Sequence, residues 1–112
     1  MQHTGQEGDE RLGFQISGAI LDLVVLSIVQ RQDTYGYEIT QQVRQILDVS
    51  ETSLYPALRR LEKAGMLRTY DQPFQGRNRR YYHLTETGQH QLERQIREWR
   101  QFKQDLDRLL EE

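Results

Sequence analysis

The stretch from Ser50 to Tyr82 constrains the fold of this 112-residue chain more than any other. Its pattern predicts an amphipathic helix, a glycine stop, a strand, a turn-rich tip and a second strand. At 100° per residue, four apolar side chains share one face of that helix: Leu54, Ala57, Leu58 and Leu61. Gly65 follows in the position that a left-handed helix cap favours. A helix with one polar face, followed by a hairpin, predicts a winged helix-turn-helix, an α+β fold in which helices dominate.

The exposed face of this helix and the hairpin tip supply candidate contacts to nucleic acid. The helix face is polar, basic and partly aromatic, which suits a DNA major groove: Thr52, Pro56, Arg59 and Lys63, with Tyr55 and Arg60 at its margins. The hairpin contributes three arginines on or beside its tip: Arg77, Arg79 and Arg80. A basic run alone is most simply interpreted as a set of solvated surface charges. Because these basic residues lie on a helix and a hairpin, DNA binding is the favoured interpretation.

The distribution of charge supports this interpretation, although the net charge is only −2. Residues 1–49 hold three basic and seven acidic side chains, and residues 85–112 hold five and seven. Residues 50–84 hold seven basic and three acidic side chains. Because local fields steer a protein towards phosphate, the basic segment matters more than the total.

Composition and hydropathy predict one cytoplasmic domain without a membrane segment. Cysteine is absent, which excludes disulfides and thiolate metal sites. The longest apolar run, from Ile20 to Val29, is far shorter than the roughly 20 residues that span a bilayer. We expect residues 1–11 to be a disordered tail, residues 12–84 a DNA-binding domain and residues 85–112 a C-terminal dimerisation helix.

Two helices are predicted before Ser50. The first runs from Leu12 to Gln30, and its apolar residues between Ile20 and Val29 surround the helix, so one side needs a second chain. The second runs from Tyr35 to Leu47 with Thr34 as N-cap, and Gly36 allows the close approach of another backbone. One buried stripe is predicted on this second helix: Ile39, Val43, Ile46 and Leu47.

The starts of the third helix and the wing leave alternatives. Ser50 and Ser53 are both possible N-caps, and Pro56 fits the first turn only if Ser53 is the cap. Strands are predicted at 66–70 and 79–84. Since Pro73 and Gly76 discourage ladder pairing, we expect a loop longer than two residues between them. Tyr82 and Leu84 should point inward.

The last helix is predicted from Glu86 to about Leu110, with Thr85 as its N-cap. An apolar stripe with one basic interruption repeats at spacings of four and three: Leu92, Ile96, Trp99, Lys103, Leu106 and Leu110. One small core cannot cover so long a stripe. We therefore predict a homodimer whose interface includes this stripe and two residues of the first helix: Ile20, Val24, Leu92, Ile96, Trp99, Leu106 and Leu110.

Four segments together resemble the PadR family of transcriptional regulators: AILDLVVLSIV, TYGYEITQQV, SETSLYPALRRLEKAGML and GRNRRYYHLTETG. The single helix after the wing is similar to the compact subgroup of that family. The resemblance implies a winged-helix dimer that binds a two-fold symmetric operator and represses transcription until a small molecule binds. It also implies DNA contacts from particular side chains: Tyr37, Thr52, Ser53, Tyr55, Arg77, Arg79 and Arg80.

Trp99 adds a narrower resemblance, to short multidrug-responsive members with a tryptophan in this helix. In those proteins paired indoles at the dimer interface sandwich flat aromatic compounds, which implies a ligand site here formed by Trp99, Ile96 and Lys103. A tryptophan that simply packs in an interface is the commoner explanation.

Other functions have weaker support in the sequence. The three histidines lack the spacing of metal ligands, and no nucleophile is paired with a base, so we expect neither a metal, a cofactor nor an enzyme. The main alternative is a winged helix that binds another protein instead of DNA.

Overall fold

The structure, a computed structural model, describes residues 17–111. The helices are α1 (Gly18–Arg31), α2 (Gly36–Arg44), α3 (Glu51–Lys63) and α4 (Glu86–Leu110). The strands are β1 (Thr34–Tyr35), β2 (Leu67–Phe74) and β3 (Arg77–Leu84), which form one antiparallel sheet in the order β1-β3-β2. This arrangement confirms the predicted winged helix-turn-helix with a C-terminal helix. The predicted disordered tail, residues 1–11, lies outside the described residues.

The core gathers one face from each helix and the inner face of the sheet. The predicted inner face of α3 is confirmed, because all four of its apolar side chains are at most 5% exposed. They meet the buried side chains of the other elements: Val25, Leu26, Ile28, Val29, Ile39, Val43, Leu47, Leu67, Tyr82 and Leu92. Tyr82 points inward as expected, and Leu84 packs against this core while remaining partly exposed.

The first two helices begin at Gly18 and Gly36. Ser17 has extended backbone angles, and its hydroxyl accepts a hydrogen bond from the Ile20 amide, so α1 starts at Gly18; the predicted start at about Leu12 lies outside the described residues. Thr34 is not a helix cap, because it lies in β1 and its backbone pairs with Tyr82 of β3. The N-cap of α2 is Tyr35, which makes no side-chain capping bond.

The second helix is also shorter at its C-terminal end. After Arg44 the chain tightens into a turn in which the Ile46 amide bonds to the carbonyl of Val43, three residues back. This turn changes the helical phase. Ile46, predicted to be buried, is therefore 56% exposed, whereas Leu47 is buried as expected.

The ends of α3 match one of the predicted alternatives. Ser50 is the N-cap, and its Oγ accepts a hydrogen bond from the Ser53 amide at 3.2 Å, so Pro56 lies inside the helix rather than in its first turn. At the other end Gly65 has a φ of +81°, as predicted. The amides of Gly65 and Met66 bond to the carbonyls of Glu62 and Leu61, which closes the helix with a Schellman motif.

The wing is a tight two-residue hairpin, and the prediction of a longer loop is wrong. Gln75 and Gly76 have φ values of 52° and 79°, which a type I′ turn requires. Strand pairing continues to Phe74 and Arg77, the residues on either side of the turn. Pro73 is tolerated because β2 is an edge strand and the Pro73–Asn78 pair is the type that exchanges no backbone hydrogen bonds.

The junction between the wing and α4 is held by a very close backbone approach. Thr85 caps α4 as predicted, accepting a hydrogen bond from the Gly88 amide, and its hydroxyl donates to the carbonyl of Gly65. The Thr85 amide bonds to the carbonyl of Met66. Gly88 is buried against the same carbonyl, so the start of α4 is fixed directly to the end of α3.

Candidate nucleic-acid interface

The outer face of α3 is available over its full length. Thr52 and Ser53 are exposed in the first turn, and Arg59 and Lys63 are exposed in the second half. Their exposure follows from the burial of the opposite apolar face. The predicted polar and basic surface is therefore present on one side of one helix.

Tyr55 is half-buried and lies against the start of α2. A Cβ added at Gly36 would lie 3.1 Å from Cε1 of the Tyr55 ring. Gly36 therefore leaves room for a ring, not for another backbone as the sequence suggested. The contact fixes the position of Tyr55 relative to Tyr37, which is 57% exposed at the N-terminal end of α2.

A cleft of about 360 Å³ lies between α2, α3 and the wing. We call it the wing cleft and define it by its lining residues: Tyr35, Gly36, Tyr37, Tyr55, Asn78, Arg79, Arg80 and Tyr82. Four of the predicted contact residues thus meet in one concave surface. The remaining predicted residues lie along α3 or at the tip of the wing.

Tyr82 lines the wing cleft between α3 and the wing. Burial raises the pKa of its hydroxyl, and Glu62 raises it further, while Arg80 and Arg59 act in the opposite direction. Arg59 belongs to α3 and Arg80 to the wing. The Glu62 carboxylate acts on the same hydroxyl more strongly than either arginine, so it offsets part of their positive charge there.

The three wing arginines have different surroundings. Arg77 is exposed beside the turn, and Arg80 is exposed, with Nε 3.7 Å from a carboxylate oxygen of Asp71. Arg79 is half-buried, because its guanidinium carbon lies 3.8 Å from the centroid of the Tyr35 ring and 3.5 Å from that of Phe74. The sequence pattern places these three residues together, but Arg79 is less exposed than Arg77 and Arg80.

Arg60 forms a salt bridge within the chain. Its two terminal nitrogens donate to the two carboxylate oxygens of Asp22 at 2.7 and 3.0 Å. The two parallel hydrogen bonds make this ion pair directional as well as stabilising, and they join α1 to α3. The hydrogen bond to Asp22 raises the pKa of Arg60, despite partial burial.

A polar network anchors the outer face of the sheet to the segment between α1 and β1. Asp33 accepts a hydrogen bond from the Tyr70 hydroxyl at 2.8 Å and lies 2.9 Å from Nδ1 of His83. Burial by itself would raise the pKa of Asp33, but the contacts with His83 and Tyr70 outweigh it and lower that pKa. The hydrogen bond to Asp33 raises the pKa of Tyr70.

The α4 stripe divides into a buried start and an exposed remainder. Leu92 is completely buried within the chain, so its predicted place in a dimer interface is wrong. Ile96 packs against the edge of the core. Beyond it, the apolar side chains of α4 are 39–72% exposed: Trp99, Phe102, Leu106, Leu109 and Leu110. Ile20 and Val24 of α1 are partly exposed.

A second groove, of about 330 Å³, lies between α1 and this part of α4. We call it the α1/α4 groove, and it is lined by Ser17, Ala19, Ile20, Leu23, Gln95, Glu98, Trp99 and Phe102. Trp99, predicted to sandwich a ligand at the dimer interface, lines this groove within one chain. Ile96 and Lys103 do not line it: Ile96 packs against the core, and Lys103 is exposed to solvent.

Several members of these sites are not apparent from the sequence. Tyr35 falls within the predicted second helix, so its contact with Arg79 could not be foreseen. Glu98 carries no apolar signal, and Phe102 only widens the apolar stripe. Gln95 Oε1 is a buried acceptor without a hydrogen-bond partner within the described part of the chain.

The fold and the wing cleft define a winged helix-turn-helix protein. The Transcriptional regulator PadR-like family matches residues 25–94. A curated relative from Lysinibacillus sphaericus is 31% identical over 96 residues, which cover 81% of this chain and 88% of the relative. The chain belongs to the PadR-like family of transcriptional regulators.

Solved structures agree with this assignment. A Streptococcus mutans protein is 41% identical, with a TM-score of 0.84 over 89% of this chain and 94% of its own. A PadR family transcription regulator from hypervirulent Clostridium difficile is 35% identical, with a TM-score of 0.75 over 80% and 97%. Bacillus subtilis PadR in complex with operator DNA shares the fold at 21% identity, with a TM-score of 0.62 over 69% and 46%.

Proteins of this family regulate transcription and are generally not enzymes. Across residues 17–111, no helix is long and apolar enough to cross a membrane. The same residues contain no group of three or more His, Asp or Glu side chains placed to hold a metal ion.

Proposed function

We propose that this protein binds double-stranded DNA sequence-specifically and regulates transcription in the cytoplasm. The observation that carries the proposal is the wing cleft, where α3 and the wing approach each other, with Arg59 of α3 and Arg80 of the wing both exposed. In this arrangement α3 enters the major groove. Thr52, Ser53 and Tyr55 meet base edges or backbone, and Tyr37, Arg59, Lys63, Arg77 and Arg80 meet backbone phosphates. Selection of bound fragments from genomic DNA tests the proposal by yielding a common motif.

The protein acts as a homodimer in this proposal. The exposed apolar half of α4, together with Ile20 and Val24, offers apolar side chains that a second copy of the chain would cover. A two-fold symmetric dimer would present its two α3 helices to a two-fold symmetric operator, with half-sites about one helical turn apart.

The family resemblance further favours a repressor that a planar aromatic compound releases from DNA. The α1/α4 groove offers rings for stacking, since the centroids of Trp99 and Phe102 lie 6.2 Å apart. Glu98, whose Oε2 lies 3.3 Å from Nη1 of Arg94, adds a carboxylate, and Gln95 adds an acceptor without a partner among residues 17–111; this favours a planar cation with a hydrogen-bond donor. Lys103 outside the groove opposes this preference without entering it.

Substitution of Thr52 or Tyr55 is expected to change which sequences are preferred. Replacing either by alanine removes a base-edge contact, which should cost about 1–3 kcal/mol on the selected operator and much less on random duplexes. Competition binding with a library of single-base operator variants measures this difference.

The control is Thr87→Ala, which removes an exposed threonine in the first turn of α4, away from the wing cleft. It should leave the ranking of operator variants unchanged. Equal losses on operator and random DNA for Thr52→Ala and Tyr55→Ala would contradict base recognition by these side chains.

A planar cationic dye is expected to quench the fluorescence of Trp99, the only tryptophan in the chain. Removing the charge with Glu98→Gln should weaken the binding of this dye about two- to fivefold, as expected for a partly exposed ion pair. Glu93→Gln, on the same helix but outside the groove, is the matched control. A dye that leaves Trp99 unquenched, or binds all three proteins equally, would contradict the groove as the ligand site.

A further inference from the structure

The projecting half of the wing lacks anchorage in the core. Between Asp71 and Arg80, every residue is exposed except Arg79. A two-stranded hairpin is only marginally stable by itself, so cross-strand pairing does not set its direction relative to α3. Some other contact must hold the wing against the body of the protein.

Arg79 makes such a contact with both neighbouring strands. Its guanidinium lies between the ring of Tyr35, which belongs to β1, and the ring of Phe74, near the tip of β2. The register accounts for this geometry: Tyr35 pairs with Tyr81, and Phe74 pairs with Arg77, so both rings are diagonal neighbours of Arg79 on one sheet face. The three side chains therefore form a stack across the sheet.

The stack continues into the body of the protein. Tyr81 contacts the ring of Tyr35 edge-on at 5.6 Å and stacks with Tyr70 at 5.6 Å. The Tyr70 hydroxyl donates to Asp33, which precedes β1. Tyr35 is also the N-cap of α2, so the stack joins the wing to the start of the helix-turn-helix unit.

We propose that Arg79 is a positioning residue that fixes the direction of the wing through Tyr35 and Phe74, so that Arg80 reaches DNA. The inference rests on the proposed DNA binding and refines it, because Arg79 then contributes through its shape rather than by neutralising a phosphate. The guanidinium carbon lies within 4 Å of the centroids of both rings. Arginine suits this role since its planar cation stacks on aromatic faces, whereas lysine carries the same charge without the plane.

This difference between arginine and lysine allows a binding experiment to distinguish a positioning role of Arg79 from a phosphate contact. Affinity for a duplex is measured from low to moderate salt for Arg79→Lys, Arg79→Gln, Arg80→Lys and Arg80→Gln. Losing two ring contacts should weaken both Arg79 variants about five- to thirtyfold, by the usual strength of such contacts, with the salt slope unchanged. Arg80→Gln should reduce the salt slope by about 0.9 per protomer, while Arg80→Lys keeps it.

A second measurement needs no DNA. Amide hydrogen exchange in the free protein should be faster across residues 71–80 in Arg79→Lys and in Phe74→Leu than in the parent protein. Arg77→Lys, beside the turn but outside the stack, is the matched control and should leave exchange unchanged. Exchange elsewhere in the chain should be the same in all variants, which shows that they are folded.

Two results would overturn the proposal. One is Arg79→Lys with parent affinity while Arg79→Gln loses salt slope, since Arg79 would then be a phosphate contact. The other is parent-like exchange of the wing in Arg79→Lys. If no variant and no parent protein binds DNA, the proposed function fails, and the exchange measurement still decides whether Arg79 positions the wing.

Discussion

Gly88→Ala is expected to destabilise the protein by about 3 kcal/mol or more, at the upper end of the cost of forcing extra volume into a packed site. The added Cβ would lie 2.2 Å from the carbonyl oxygen of Met66 and 2.7 Å from Cδ1 of Leu84. The first of these atoms is backbone, and it accepts the hydrogen bond from Thr85, so it cannot move without breaking the junction between α3 and α4. Urea denaturation followed by circular dichroism measures the loss.

The sign of this effect is informative, because alanine normally stabilises a helix relative to glycine. Gly18→Ala provides the control, since a Cβ there meets no atom of residues 17–111 within 4 Å. It should leave stability unchanged or raise it by up to about 1 kcal/mol. A Gly88→Ala protein as stable as the parent would show that α4 does not approach Met66 so closely.

Leu106→Lys combined with Leu110→Lys is expected to convert the proposed dimer into a folded monomer. Each lysine would place an unpaired charge in the interface, and such a charge costs several kcal/mol, so the dimer dissociation constant should rise at least about a hundredfold. Lysine is a good helix former and its charge suits the C-terminal end of α4, so the helix itself should persist. Sedimentation velocity across a range of concentrations measures the change.

The matched control adds the same charge to the opposite face of the same helix. Gln101→Lys combined with Gln104→Lys should leave the dissociation constant within a few-fold of the parent value. If the parent protein sediments as a monomer at micromolar concentration, or if both double variants behave alike, the exposed end of α4 is not the dimer interface.

The helices and the core could be predicted because they follow from local periodicity. The inner face of α3, the cap at Gly65 and the extent of α4 are all encoded by residues close together in sequence. The polar face of α3 follows from the same pattern. The candidate DNA-binding residues of that helix could therefore be predicted from the sequence alone.

The errors arose where distant parts of the chain decide the outcome. Thr34 and Tyr35 form a strand only because β3 lies beside them, and two residues carry no period of their own. The turn at Gln75 places a non-glycine residue at positive φ, which local preference disfavours and the pairing of two eight-residue strands stabilises. Leu92 continues the α4 stripe in sequence, yet it is buried because the core extends that far along the helix.

Contacts that combine several elements could not be predicted from local patterns either. The position of Arg79 between two rings depends on the register of three strands. The paired contact between Arg60 and Asp22 joins residues 38 positions apart. These contacts distinguish arginines that look alike in the sequence but differ in whether their guanidinium groups are available to bind DNA.

The central claim is that α3 and the wing together bind DNA, and the dependence of duplex affinity on salt tests it most directly. Two copies each of Arg59, Lys63, Arg77 and Arg80 would neutralise up to eight phosphates, so fluorescence anisotropy should give a slope of log affinity against log salt approaching about −7. Arg59→Gln combined with Arg80→Gln should make this slope shallower by roughly half. Salt-independent binding, or a slope that this double variant leaves unchanged, would contradict the account and favour a winged helix that binds another protein.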